Sequence, residues 1–130
     1  MRLALWPELA RSDQEREADQ WLARQDAIVL IAENASGNLV GFAEVGERPF
    51  ADGCDTTPVG YLEGWYVDPA FRRQGVGARL LRAAEAWGRE RGYRELASDA
   101  LLDNAVSQKA HLALGFSEVE RAVRYHKFLK

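Results

Sequence analysis

A three-layer α/β domain with a mixed sheet, and not a doubly wound one, is what this sequence predicts. Three observations carry the prediction. Val59 to Val67 is a β-branched and aromatic run of strand length. It leads through Asp68-Pro69-Ala70-Phe71-Arg72-Arg73-Gln74-Gly75 into a segment where Val76, Leu80, Ala84 and Trp87 recur at helical spacing. Upstream, the apolar runs Ala27 to Glu33 and Leu39 to Val45 flank Asn34-Ala35-Ser36-Gly37-Asn38, whose turn residues predict a hairpin.

Taken in order, Leu3 to Trp6 reads as the end of a helix stopped by Pro7. Ser12-x-x-Glu15 is a capping box ahead of Ala18, Trp21 and Leu22, which predicts a short second helix. After the hairpin, a polar loop from Gly46 to Pro58 enters the central strand. The long helix that follows it ends at Gly92. A short strand, Arg94 to Ser98, a loop to Asp103 and a helix from Asn104 to Leu114, closed by Gly115, come next. Phe116 to Phe128 is extended in character, with charges at Glu118, Glu120, Arg121 and Arg124. No linker or repeat interrupts the chain, so residues 1–130 are expected to form a single domain.

Composition fits a small enzyme. A chain of 130 residues, 47% hydrophobic, buries about two-thirds of the surface its unfolded form exposes. The one cysteine, Cys54, excludes an internal disulfide framework and a cysteine-based zinc cluster. It reads as an incidental thiol. His111 and His126 share no metal-ligand spacing, so no metal is expected. No apolar run approaches the ~20 residues that span a bilayer, and no signal peptide is evident. A cytoplasmic location without membrane association is expected. The net charge of −3 gives no footprint for nucleic acid and mildly favours a cationic partner.

The chemistry is concentrated at the strand-to-helix turn. The first four N–H groups of a helix lack intrahelical acceptors, and together with the positive dipole end they favour an anion. Gly75 and Gly77 place no side chain between a pyrophosphate and that backbone. The dinucleotide-binding fingerprint is not met, since Gly-x-Gly-x-x-Gly does not directly follow the strand and no ribose-binding acid stands about 20 positions on. Gly-Lys-Ser/Thr is absent as well, which excludes a Walker-type loop.

Arg72-x-x-Gly75-x-Gly77 resembles the Arg/Gln-x-x-Gly-x-Gly/Ala loop of the GNAT superfamily of acyl-CoA-dependent N-acyltransferases. Pro58 to Val67, Ala97-Ser98-Asp99, Asn104, Ser107-Gln108-Lys109-Ala110-His111 and Leu114-Gly115-Phe116 are similar to the aminoglycoside 6′-N-acetyltransferases of that superfamily. Leu5-Trp6-Pro7 and Asp52-Gly53-Cys54-Asp55 fit the same group. The resemblance runs from about residue 3 to the C-terminus. Family members carry a strand and most of a helix ahead of the Leu-Trp-Pro segment, so the expected fold is the GNAT fold without its first strand. An edge strand bared in this way is prone to pair with another chain.

The resemblance implies acetyl-CoA as cosubstrate. Its phosphates would lie on Arg72, Arg73, Gln74, Gly75, Val76, Gly77 and Ala78, and its pantetheine arm near Asn104. Glycine within a strand suggests a bulge, and in this family a bulge at Glu63-Gly64 splays two strands apart. Pantetheine would pair in the gap, with the thioester carbonyl facing backbone N–H groups near Trp65, Tyr66 and Val67.

Amine acetylation requires a neutral nitrogen, so a carboxylate or a water held by one must remove a proton before attack. Asp99 corresponds to the family's catalytic aspartate. Glu63 would orient the amino-sugar and share the relay, since two nearby carboxylates raise each other's pKa. Trp6, Phe50, Glu63, Asp99 and Glu120 fall in the implied substrate site. His111 stands where many relatives have the general-acid tyrosine, although a lone helix histidine facing a core is more often structural. The expected activity is acetylation of the 6′-amine of aminoglycosides, giving antibiotic resistance, in a homodimer formed by exchange of C-terminal strands. Acetylation of a polyamine, amino acid or protein amine, and a non-catalytic acyl-CoA-binding module, are the alternatives.

Overall fold

The computed structural model describes the backbone of residues 11–130 and side chains from Gln14 onward. The expected helix end at Leu3 to Trp6 lies outside the described residues. Two compact units are present, one running up to Asp99 and the other from Ala100 to Lys130.

The first unit holds helix α1 (Arg11–Ala23), strands β1 (Ala27–Glu33), β2 (Leu39–Arg48) and β3 (Val59–Val67), a 3-10 turn (Pro69–Phe71), helix α2 (Val76–Glu90) and strand β4 (Leu96–Ser98). The order across the sheet is β1-β2-β3-β4. The first three strands pair antiparallel and β4 joins β3 in parallel, so the sheet is mixed, as expected. The hairpin closes at Asn34, whose Oδ1 accepts the N–H groups of Ser36 and Asn38.

Two glycines of β2 set how closely the helices approach. A Cβ on Gly41 would lie 3.2 Å from Leu80 and 3.4 Å from Val76 of α2, and one on Gly46 would lie 3.1 Å from Trp21 of α1. Positions 41 and 46 differ by an odd number along a regularly paired strand. The two helices therefore cover opposite faces of the sheet. The core lies between the sheet and α2, where Val45 and Leu62 meet Leu80, Leu81 and Ala84. Each large apolar side chain removed from water there contributes about 1.5–3 kcal/mol. Tyr93 closes one end, its hydroxyl donating to Glu47 at 2.7 Å and accepting from Arg91 at 2.9 Å.

Several boundaries differ from the sequence reading. Helix α1 already includes Arg11 and Ser12, so Ser12 lies within the helix and not at its cap. Strand β2 continues past Val45 to Arg48 because the polar Gly46, Glu47 and Arg48 pair with Tyr61, Gly60 and Val59. The strand expected from Arg94 is limited to Leu96–Ser98.

The second unit contains α3 (Ala105–Ala113). Asn104 caps it, with Oδ1 accepting from Ser107 N at 3.0 Å. Residues 116–130 form neither helix nor strand, so the stretch expected to be extended makes no ladder in a single chain. It leaves Val119, Val123, Tyr125, Phe128 and Leu129 exposed.

Candidate active site

A bulge in β3 organises the site. Glu44 of β2 pairs with Gly64, yet the next residue, Val45, pairs with Leu62. Glu63 is therefore the extra residue, at the position where the sequence predicts a bulge. On the other side of β3, pairing with β4 covers only Gly60, Tyr61 and Leu62, and β4 ends at Ser98. Beyond the bulge β3 runs on from Glu63 to Val67 with no β4 partner, and Asp99 immediately follows the end of β4.

Tyr61, Glu63 and Arg48 meet on the α1 face. Arg48 donates from Nε to Glu63 Oε1 at 2.8 Å and from Nη2 to Glu63 Oε2 at 2.9 Å. Its guanidinium also lies 3.4 Å from the centre of the Tyr61 ring. The Tyr61 hydroxyl donates to Asp99 Oδ2 at 2.5 Å. Burial first, and then the hydrogen bond to Asp99, hold the Tyr61 hydroxyl well above the usual tyrosine range. It stays protonated and serves as a donor.

Glu63 and Asp99 share a cavity of about 430 Å³ with Glu17, Gln20, Trp21, Arg24 and Glu44. The α1 contribution follows from helical spacing, since residues 17, 20, 21 and 24 fall on one face. Arg24 is engaged by Asp26 at 2.9 Å and by the Trp21 ring at 4.6 Å. Four carboxylates and one guanidinium give the cavity a negative field suited to a cationic guest. Glu44 is only 4% exposed, which places its carboxylate deep in the wall.

The strand-to-helix turn lies at the far end of β3. Gly75 caps α2 with φ 82°, in the left-handed region, and a Cβ there would meet nothing within 4 Å. The loop thus needs glycine for its backbone angle and leaves the space in front of it open. Arg73 also has a positive φ, 64°. A Cβ on Gly77, by contrast, would face the Trp65 ring at 3.5 Å and Val67 at 3.6 Å, so this glycine packs the helix onto β3. Arg72 Nε donates to Val67 O at 2.9 Å and Arg79 Nη2 to Gln74 O at 3.3 Å. Gln74 is exposed, while Val76 and Ala78 are half-buried in the first turn of α2.

Phe50 is 72% exposed on the loop after β2. That loop is tied to Glu95, whose Oε1 accepts from Asp55 N at 2.8 Å and Thr56 N at 2.7 Å. Trp6 lies outside the described residues. Tyr66 packs on Phe42 with ring centres 6.2 Å apart. In the second unit, Glu120 is exposed and Asn104 uses its side-chain oxygen on the helix cap. His111 Nδ1 lies 2.7 Å from Ser107 O and its ring packs against Phe116, a structural setting. Burial and the Glu95 carboxylate push the Cys54 thiol up, which keeps it protonated and unreactive. Among the described residues no group of three His, Cys, Asp or Glu could hold a metal ion. Nor is any helix among them long and apolar enough to cross a membrane.

Arg48, Tyr61, Glu44 and the α1 residues Glu17, Gln20, Trp21 and Arg24 are site-forming residues absent from the site as the sequence predicts it. The one sequence signal for Tyr61 is its place two residues before Glu63 on the same strand.

A glycine-capped turn fed by a bulged strand, with two carboxylates beside the bulge, is the arrangement of an acyltransferase of the GNAT type. The chain matches the model of the acetyltransferase (GNAT) family over residues 1–116, and it belongs to that family. It is 45% identical to the aminoglycoside N(6′)-acetyltransferase type 1 of Klebsiella aerogenes, an alignment covering 98% of this chain and 86% of the relative. Identity to the enzyme of the same name from Serratia marcescens is 42%, covering 99% and 89%. Among solved structures, AAC(6′)-Iy in complex with the bisubstrate analog CoA-S-monomethyl-acetylneamine superposes with a TM-score of 0.91 at 39% identity, covering 99% of this chain and 88% of that one. The aminoglycoside 6′-N-acetyltransferase AAC(6′)-Ih of Acinetobacter baumannii gives 0.91 at 34% identity, covering 99% and 88%.

Proposed function

We propose that this protein is an acetyl-CoA-dependent N-acetyltransferase acting on the 6′-amine of aminoglycoside antibiotics. The observation that carries the reading is the acidic cavity holding Glu63 and Asp99 at the bulge of the strand that leads to the Gly75 turn. Similarity to enzymes of that activity over nearly the whole chain supports it.

The donor set fits the nucleotide end of coenzyme A. Open space before Gly75 and the first N–H groups of α2 suit a diphosphate, with Arg72, Arg73, Gln74, Val76, Gly77 and Ala78 completing the turn. The part of β3 without a β4 partner offers its backbone to the pantetheine arm, so that N–H groups of Trp65, Tyr66 or Val67 meet the thioester oxygen. Asn104 takes an amide of the same arm.

On the acceptor side, an aminoglycoside brings several ammonium groups, and Glu17, Glu44, Glu63 and Asp99 supply countercharge. Trp6, Phe50 and Glu120 complete the sugar contacts. Asp99 takes one proton from the attacking ammonium, the nitrogen forms the amide bond to the acetyl carbon, and the carbon–sulfur bond breaks, the second nitrogen proton passing to the departing sulfur so that coenzyme A leaves as its thiol. Glu63 orients the amine. Acetylation removes a positive charge from the drug and thereby confers resistance. The chain acts as one domain in the cytoplasm and as a homodimer, with the apolar residues of 116–130 meeting a second copy.

The test is mass spectrometry of kanamycin or tobramycin after incubation with acetyl-CoA, with fragmentation to locate the modified ring. One added acetyl group on the 6′-nitrogen is expected. No aminoglycoside product, alongside CoA release with another amine or CoA binding without turnover, overturns the assignment.

A further inference from the structure

We propose that Tyr61 and Arg48 are positioning residues for acetyl transfer, holding Asp99 and Glu63 as one frame across the bulge. The proposal rests on the acetyltransferase reading above. Tyr61 is 7% exposed, on a residue paired with Gly46 of β2 and Ala97 of β4, so its ring is buried and its backbone is held from both sides. From that ring the hydroxyl reaches Asp99 Oδ2 at 2.5 Å, on the residue just past the end of β4. Arg48 lies over the same ring, 3.4 Å from its centre, and grips both oxygens of Glu63. A planar guanidinium can stack and fork at once, which a lysine ammonium cannot.

The frame divides the work between the two acids. Glu63, with both oxygens engaged by a guanidinium, serves as a fixed wall for the amine, and the proton passes to Asp99. One Asp99 oxygen is held by Tyr61, which leaves Oδ1 to face the attacking nitrogen in a single orientation. A misplaced base costs rate without weakening acetyl-CoA binding at the distant turn.

Tyr61→Phe deletes one hydroxyl and keeps the ring under Arg48. It is expected to lower kcat about tenfold with KM for acetyl-CoA unchanged within roughly twofold, the pattern of an interaction needed in the transition state. Arg48→Lys keeps the charge but loses the fork and the stack, and should raise KM for the aminoglycoside about fivefold. Combining the two should cost less than the product of the separate effects, because they share one frame. A second readout needs no turnover: melting temperatures of Tyr61→Phe, Asp99→Asn and the pair should be non-additive. Wild-type kcat in Tyr61→Phe, or additive melting losses, overturns the frame. Lack of any aminoglycoside turnover by the unsubstituted protein overturns the acetyltransferase reading instead, while the melting cycle still judges the Tyr61–Asp99 link.

Discussion

Trp65 of β3 donates from its indole Nε1 to the carbonyl of Gly77 at 3.1 Å, joining the bulged strand to the first turn of α2. Removing the donor with Trp65→Phe forfeits one hydrogen bond, worth about 1 kcal/mol. Acetyl-CoA affinity, read by calorimetry, is expected to weaken about fivefold as the turn loosens relative to the strand. Unchanged affinity would show that the indole has no part in aligning the two elements.

The glycines of the turn should respond differently. Gly75→Ala forces a Cβ into the left-handed region at φ 82°, a cost of about 1–2 kcal/mol. Gly77→Ala adds a methyl at ordinary contact distance from Trp65 and Val67 and gains helix propensity. Thermal melting should fall by several degrees, roughly 3–8 °C, for Gly75→Ala and hardly at all for Gly77→Ala. Equal losses would contradict the distinction between them.

Asp99→Asn keeps the shape of the side chain and removes its capacity to take a proton. Turnover is expected to drop by more than about tenfold, within the range of general-base contributions, while acetyl-CoA affinity changes only a few-fold. Full activity in the variant would transfer the role of base elsewhere.

Glu95 links stability to pH. Hydrogen bonds from Thr56, through side chain and backbone, hold its carboxyl below the ordinary glutamate value. A depressed folded-state pKa stabilises the fold above the unfolded value of about 4.3 and ceases to do so as pH falls through the folded value. The melting temperature of the wild type should therefore decline more steeply below about pH 4.3 than that of Glu95→Gln. Parallel curves for the two proteins would remove the carboxylate as the anchor of the 51–58 loop.

Local patterns made much of this fold legible, because strands and helices with one buried face announce their period. Val59–Val67 has the bounds that its β-branched and aromatic run predicts. The bulge follows from Gly64, since glycine inside such a run has few other uses. Long-range pairing was not legible. Gly46, Glu47 and Arg48 read as loop by composition, and only the opposing β3 residues make them strand. Arg48 consequently emerged as a site residue from the register alone. Tyr61 resembles any core aromatic until Asp99, 38 positions away in sequence, meets its hydroxyl. The α1 wall of the cavity is likewise visible on the helix as a periodicity, but the carboxylates it faces come from distant strands.

The single unpaired residue in β3 is absorbed within the ladder, so the strand on either side of it keeps its own pairing with β2. Removing Glu63 would bring Gly64 next to Leu62 opposite Glu44 and Val45 and leave Trp65 opposite Ala43, with its indole still directed at Gly77. One codon deleted at this point would therefore take away the carboxylate that Arg48 grips and spare the register toward α2, whereas one residue inserted between Gly64 and Trp65 would turn Trp65 and Val67 to the other face.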